Sequence, residues 1–238
     1  MGRLVLIMLP EIINQPVFGI TLTLITYYIG LYFRKKWDIL LFEPILISMV
    51  LIIITLELLN IDFDSYYQGG EYISFLLGPA TVALAIPMYR KITLLKKRAK
   101  LILISTFCGA VLGILLVIYL GKIVGTGEEF LISMVPKAVT TPIAVGISEE
   151  IGGEPSLTVG VVILNGLLGG MFGVKLLNLL NIKSSLARGL TMGMSSHGIG
   201  TARALEENDL EGALSGLAIG LMGFFTALTA PFIVNILL

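Results

Sequence analysis

The chain has 238 residues, of which 56% are hydrophobic and 13% charged, with 16 basic and 16 acidic side chains, one histidine and a mean hydropathy of +0.96. A soluble domain carries about 25% charged residues, so the composition argues against a soluble enzyme, and the balanced charge leaves no basic field for nucleic acid. An integral membrane protein remains, and the 27 glycines, many inside apolar runs, suit close helix–helix approach in lipid.

Residues 1–15 read as a short interfacial lead-in without a signal-peptide pattern. A first span is expected over about Pro16–Phe33, with Tyr27, Tyr28, Tyr32 and Trp37 forming an interfacial belt and Arg34, Lys35 and Lys36 stopping it. A second is expected over about Glu43–Leu59, with Pro44 at its start. Residues 60–71 are acidic, aromatic and end in glycines, and read as an interfacial loop. The third apolar segment, Tyr72–Tyr89, is expected to kink or break at Gly78–Pro79. Six cations follow between Arg90 and Lys100, then a continuous span over about Leu101–Leu120 that holds the lone Cys108 as a small buried residue.

The basic clusters at 34–36 and 90–100 are separated by two crossings. By the positive-inside rule both face the cytoplasm, which puts the N-terminus outside; the second cluster is also placed to touch anionic lipid. Beyond them the pattern is less regular. Residues 130–151 are apolar but broken by Pro136, Lys137, a Thr140-Thr141 pair and Pro142. A glycine-rich span over about Leu157–Leu180 carries Asn165. After Lys183 and Arg188 comes Ser195-Ser196-His197-Gly198-Ile199-Gly200-Thr201-Ala202-Arg203, then the acidic Glu206-Glu207-Asn208-Asp209, then a last span over about Gly212–Leu238. The count is six to eight spans, depending on whether 130–151 and 190–205 cross or turn back.

Polar residues within apolar flanks are costly at membrane depth, and irregular backbone survives there only against protein or a wet cavity. The broken segments therefore mark a site. Thr140, Thr141, Asn165, Ser195, Ser196, His197, Gly198 and Arg203 are its candidate binding residues, and Lys137, Glu149, Glu150, Pro79 and Pro142 are candidates for coupling or gating. Freed helix N-termini and hydroxyls suit a small organic anion. Each of these residues also has a plain packing use. Serine beside histidine in sequence makes no catalytic triad, since consecutive side chains do not face each other, and no metal-ligand cluster or phosphate loop is present, so neither an enzyme nor a cofactor is expected.

Pro136-Lys137-Ala138-Val139-Thr140-Thr141-Pro142-Ile143-Ala144, Glu149-x-Ile151-Gly152-Gly153, Ser195 to Ala202 and Leu77 to Pro87 resemble the LrgB/CidB family of bacterial membrane proteins, over nearly the whole chain. The resemblance implies a single LrgB-like transmembrane domain over 1–238, all-α, with broken or re-entrant helices and inverted repeats of the cation/proton antiporter and bile-acid symporter type. It also implies a small LrgA/CidA-type membrane partner, and a homo-oligomer is expected in the cytoplasmic membrane. On function it points two ways. One is a secondary transporter of small organic acids (glycolate, glycerate, pyruvate or lactate) working by alternating access, with H+ or Na+ as coupling ion, and this is the leading expectation. The other is a holin/antiholin-like regulator of murein hydrolase activity and lysis.

Overall fold

The computed structural model describes residues 13, 15–37, 42–76, 79, 82–83 and 85–238. Among these there are eleven helices and no strand, and the chain separates into two compact units, Met1–Ala83 and Leu84–Leu238. Each is described by itself.

The first unit holds α1 (Pro16–Trp37), α2 (Pro44–Leu59) and α3 (Phe63–Phe75). Pro44 occupies the first turn of α2, where its missing N–H costs nothing. Small residues bring the backbones together: a methyl at Gly30 would lie 2.7 Å from the Pro44 carbonyl oxygen. Hydroxyl pairs close the contacts, with Thr26 Oγ1 2.8 Å from Ser48 Oγ and Thr23 Oγ1 2.9 Å from the Tyr66 hydroxyl. Arg34 at the end of α1 forms an ion pair with Glu43 at the start of α2.

The loop expected over 60–71 is mostly helix. Asn60 turns the chain with left-handed φ 50° and ψ 45°. Its N–H donates to the Glu57 carbonyl and that of Ile61 to the Leu56 carbonyl, closing the end of α2. Asp62 then holds the extended position before α3. The glycine that read as loop punctuation, Gly69, is buried against α1, where a methyl would fall 2.7 Å from Gly19 Cα. It is a packing glycine on a helix.

The second unit runs α4 (Ala85–Arg90), α5 (Ile92–Lys97), α6 (Ala99–Val124), α7 (Glu128–Met134), α8 (Thr141–Ile151), α9 (Pro155–Leu179), α10 (Ser185–Glu207) and α11 (Asp209–Leu237). Four described helices are long and apolar enough to cross a membrane: α1, α6, α9 and α11. The apolar α2 has 16 residues and is shorter. The protein is thus an all-α, multi-pass membrane protein.

Within this unit α11 packs against α10, α6, α8 and α4, while α9 packs against α10, α8 and α7. Ile114, Ile118, Leu131, Val139 and Val162 are almost wholly buried in one cluster between them. Phe107 and Phe225 meet edge to face with centroids 5.4 Å apart. The Lys122 ammonium donates to the Leu237 carbonyl at 2.5 Å, placing a cation at the negative end of α11.

The expected breaks are seen where they can be described. α7 ends at Met134, a turn carries Pro136, and α8 starts at Thr141 with Pro142 in its first turn. α10 is interrupted at His197, whose φ 39° and ψ −127° are not helical. Pro79 is helical and exposed, but Leu77, Gly78, Ala80 and Thr81 lie outside the described residues, so the expected Gly78–Pro79 break does too.

Candidate functional site

The break in α10 sits where α9, α10 and α11 meet. Asn208 alone joins α10 to α11, and its Oδ1 accepts from the N–H groups of Leu210 (3.1 Å) and Glu211 (2.9 Å), capping α11. Glycines on α10 admit the backbone of α11: a methyl at Gly189 would stand 2.6 Å from the Glu211 carbonyl oxygen, and one at Gly193 would overlap the Ser215 carbonyl. On the opposite side, α9 offers Gly166 beneath the His197 imidazole and Gly169 beneath the Ser196 hydroxyl.

A polar seam runs through this crossing. His197 Nε2 is 3.1 Å from the Val162 carbonyl of α9, to which it donates in the tautomer carrying a proton on Nε2. Asn165 Nδ2 donates to the Ser195 carbonyl at 2.6 Å. Ser195 Oγ donates to the Thr191 carbonyl at 2.7 Å and lies 2.9 Å from Ser196 Oγ. On the far side Thr201 Oγ1 donates to the His197 carbonyl (2.9 Å) and pairs with Ser215 Oγ of α11 (2.7 Å). Ser196, His197, Thr201 and Ser215 are all buried; Asn165, His197 and Thr201 bond across helix contacts, while the Ser195 and Ser196 hydroxyls are satisfied within α10.

The structure therefore brings four candidates to the break: Asn165, Ser195 and Ser196 are linked by hydrogen bonds, His197 follows Ser196 and bonds the Val162 carbonyl, and Gly198 is exposed beside them. Arg203 is in the following turns, paired with Glu206, and its Nε is buried without a hydrogen-bond partner among the described residues. No hydrogen bond among the described residues ties the remaining candidates to these four. Thr140 holds the extended residue before α8, where its carbonyl accepts from Ala144 N and its side chain makes no cap. Thr141 and Pro142 form the first turn of α8, and Lys137 is half-buried in the turn before it. Glu149 and Glu150 are exposed at the far end of α8, in no ion pair with a described residue. Pro79 belongs to the first unit.

Two polar clusters escaped the sequence. In one, Arg188 Nε lies 3.1 Å from both carboxylate oxygens of Glu211, while its other nitrogens donate to Asn178 (2.7 Å), the Ile182 carbonyl (3.3 Å) and Glu207 (2.8 Å). These residues line a polar cavity of about 320 Å³. The available signal was Arg188 alone among small and apolar residues, Leu186-Ala187-Arg188-Gly189-Leu190, 23 positions before Glu211 at the end of an acidic run. In the other, Thr158 Oγ1 of α9 lies 2.7 Å from Ser148 Oγ and 3.0 Å from the Ser133 carbonyl, and Ser133 Oγ accepts from Glu154 N at 2.8 Å. Gly153 has no room for a methyl here, since Ser148 Oγ would be 2.5 Å away. The Glu154 carboxylate accepts from both N and Oγ of Ser156 at the start of α9, and these bonds hold its pKa below the ordinary glutamate value. Among the described residues no group of three metal-ligating side chains occurs.

Comparison with known proteins bears on all of this. The LrgB-like family model matches residues 23–236. The chain is 37% identical over 217 residues to the antiholin-like protein LrgB of Bacillus cereus (strain B4264), covering 91% of this chain and 94% of the relative. The same figures hold for the antiholin-like protein LrgB of Bacillus anthracis (strain A0248). No solved structure matches the chain. These relatives overturn the expectation of a carboxylate transporter. The physical reason it misled is visible in the seam: the imidazole and hydroxyls that suggested an anion cradle already have partners in the protein, His197 the Val162 carbonyl of α9, and Ser195 and Ser196 each other and the Thr191 carbonyl.

Proposed function

The chain belongs to the LrgB-like family, and we propose that it acts as an antiholin-like regulator in the cytoplasmic membrane, restraining hole formation and murein hydrolase-driven lysis without catalysing a reaction itself. The observation that carries this reading is similarity to antiholin-like relatives over almost the whole length of both proteins. The architecture supports it. A hole-former needs spans with a polar face to line water, whereas α6, α9 and α11 are long and apolar, and at the α10 break Asn165, His197 and Thr201 are bonded to neighbouring helices. A body of this kind is suited to binding a hole-forming neighbour rather than to making the hole.

The partner in this reading is a small LrgA/CidA-type membrane protein, joined side by side in lipid where small-residue faces allow close approach. The chain is further proposed to self-associate. The cation clusters at 34–36 and 90–100 favour the cytoplasmic side, with the N-terminus outside.

The test is dye release from vesicles. The small partner alone should leak a large dye, and co-reconstitution with this chain should suppress the leak, while this chain alone should leave vesicles sealed. Release of large dye by this chain alone, or leakage undiminished when both are present, would overturn the proposal.

A further inference from the structure

We infer that the groove between α5, the start of α6 and α11 is a binding site for an anionic diacyl phospholipid. Three separate features converge there. The first is shape and polarity: a groove of about 410 Å³ is floored by Leu95 and Ile102, walled by Leu217 and Leu221, and flanked by Ile92 and Tyr89. Leu95 is buried in a core cluster with Ile102, Leu190, Leu214 and Ala218, so the floor is a fixed part of the second unit.

The second feature is charge. Lys96 lies on the groove itself, and Arg90, Lys91, Lys97, Arg98 and Lys100 surround it in sequence. No acidic residue occurs between Glu71 and Glu128. None of the six cations is in an ion pair with a described residue, and all but the half-exposed Lys91 are exposed. This is uncompensated positive charge on the stretch of chain that carries the groove's Lys96. The third feature is the helix: α6 begins at Ala99 beside Lys96 with no side-chain cap, which adds the positive end of a 26-residue helix at the same place.

The chemistry selects the occupant. α6 is of membrane-spanning length and composition, so its charged start lies at the edge of the bilayer and the groove opens on lipid. An acyl chain fits the apolar floor and a phosphate meets Lys96. A zwitterionic phospholipid fills the slot but brings no net charge to the cations, and a soluble phosphate meets the cations but leaves the slot empty. An anionic diacyl lipid satisfies both.

The experiment uses the full chain purified in detergent, titrated with dioleoylphosphatidylglycerol, dioleoylphosphatidylcholine or glycerol 3-phosphate, with bound molecules counted by native mass spectrometry. Phosphatidylglycerol should be retained in preference to both others. Lys96→Ala should weaken its retention about fivefold, the contribution of one basic residue near an anionic surface. Ala99→Phe, which fills the slot and spares every cation, should abolish the preference; Leu217→Phe on the opposite wall serves if the first variant does not fold. Equal retention of the two lipids would overturn the assignment. So would glycerol 3-phosphate binding as well as the lipid, which would mean a headgroup site without the slot. Undiminished preference in the slot-filling variants would overturn it too, leaving only surface electrostatics.

Discussion

The His197 imidazole reaches across from the break in α10 to the Val162 carbonyl of α9, with Nε2 3.1 Å from the oxygen and Gly166 directly beneath the ring. Bond and break belong together. Backbone at φ 39° and ψ −127° is strained for any residue with a Cβ, and the imidazole contact is what the strained residue gains.

Two substitutions separate these contributions. His197→Ala keeps the strain and loses the hydrogen bond, worth about 0.5–1.5 kcal/mol. His197→Gly loses the same bond but relieves strain of about 1–3 kcal/mol, offset in part by glycine's greater freedom when unfolded. The alanine variant should melt below the parent, and the glycine variant should melt above the alanine variant. A glycine variant that melts below the alanine variant would show that the backbone at 197 is not strained.

Gly193 and Gly146 make a matched pair on helices of the same unit. A methyl at Gly193 would overlap the Ser215 carbonyl and approach Ala218 Cβ to 2.9 Å, whereas nothing lies within 4 Å of one at Gly146. Gly193→Ala should destabilise by about 1–3 kcal/mol through overpacking. Gly146→Ala should stabilise by about 0.5–1 kcal/mol, the ordinary gain of alanine over glycine inside a helix. A Gly193→Ala variant that melts no lower than the parent would refute the close α10–α11 contact.

Much of this architecture was legible in the sequence because hydropathy and proline act locally. The spans that became α1, α6, α9 and α11 announce themselves, and Pro136, Pro142 and the Ser-Ser-His-Gly run mark real interruptions. Helix α3 was hidden because Gly69 and its acidic neighbours carry the composition of a loop, and only its contact with Gly19 shows why a helix needs glycine there. The Arg188–Glu211 pair was hidden because its partners meet through the tertiary fold. Function was misread for a related reason. A hydroxyl paired across helices, such as Thr201 with Ser215, is the same residue type as one that awaits a ligand.

Acid should loosen the start of α9 through Glu154. Its carboxylate accepts from Ser156 N at 3.2 Å and from Ser156 Oγ at 2.8 Å, so its folded pKa lies below the unfolded one. The unfolded chain then binds more protons at acid pH. The contribution is fully present above the unfolded value and is lost as pH falls through the folded value. Glu154→Gln, which keeps an acceptor that does not titrate, should flatten the acid limb of a melting-temperature profile between pH 7 and 3. An unchanged limb would show that other groups set it.

The Arg188 network predicts a graded series. Arg188 and Glu211 have side-chain exposures of 9% and 5%, while Glu207 at the cavity edge is at 36%. Arg188→Met strands a buried carboxylate whose remaining side-chain partner is Asn208 Nδ2 at 3.0 Å, and should cost about 3–5 kcal/mol. Glu211→Leu should cost less, since Arg188 keeps Glu207, Asn178 and the Ile182 carbonyl. Glu207→Gln removes only the outer charge and should cost about 0–1 kcal/mol. The double variant Arg188→Met with Glu211→Leu buries no lone charge, so it should be more stable than Arg188→Met alone. Strictly additive losses would mean that the two side chains do not interact, and that the tie from α10 to α11 rests on the glycine contacts and the Asn208 cap.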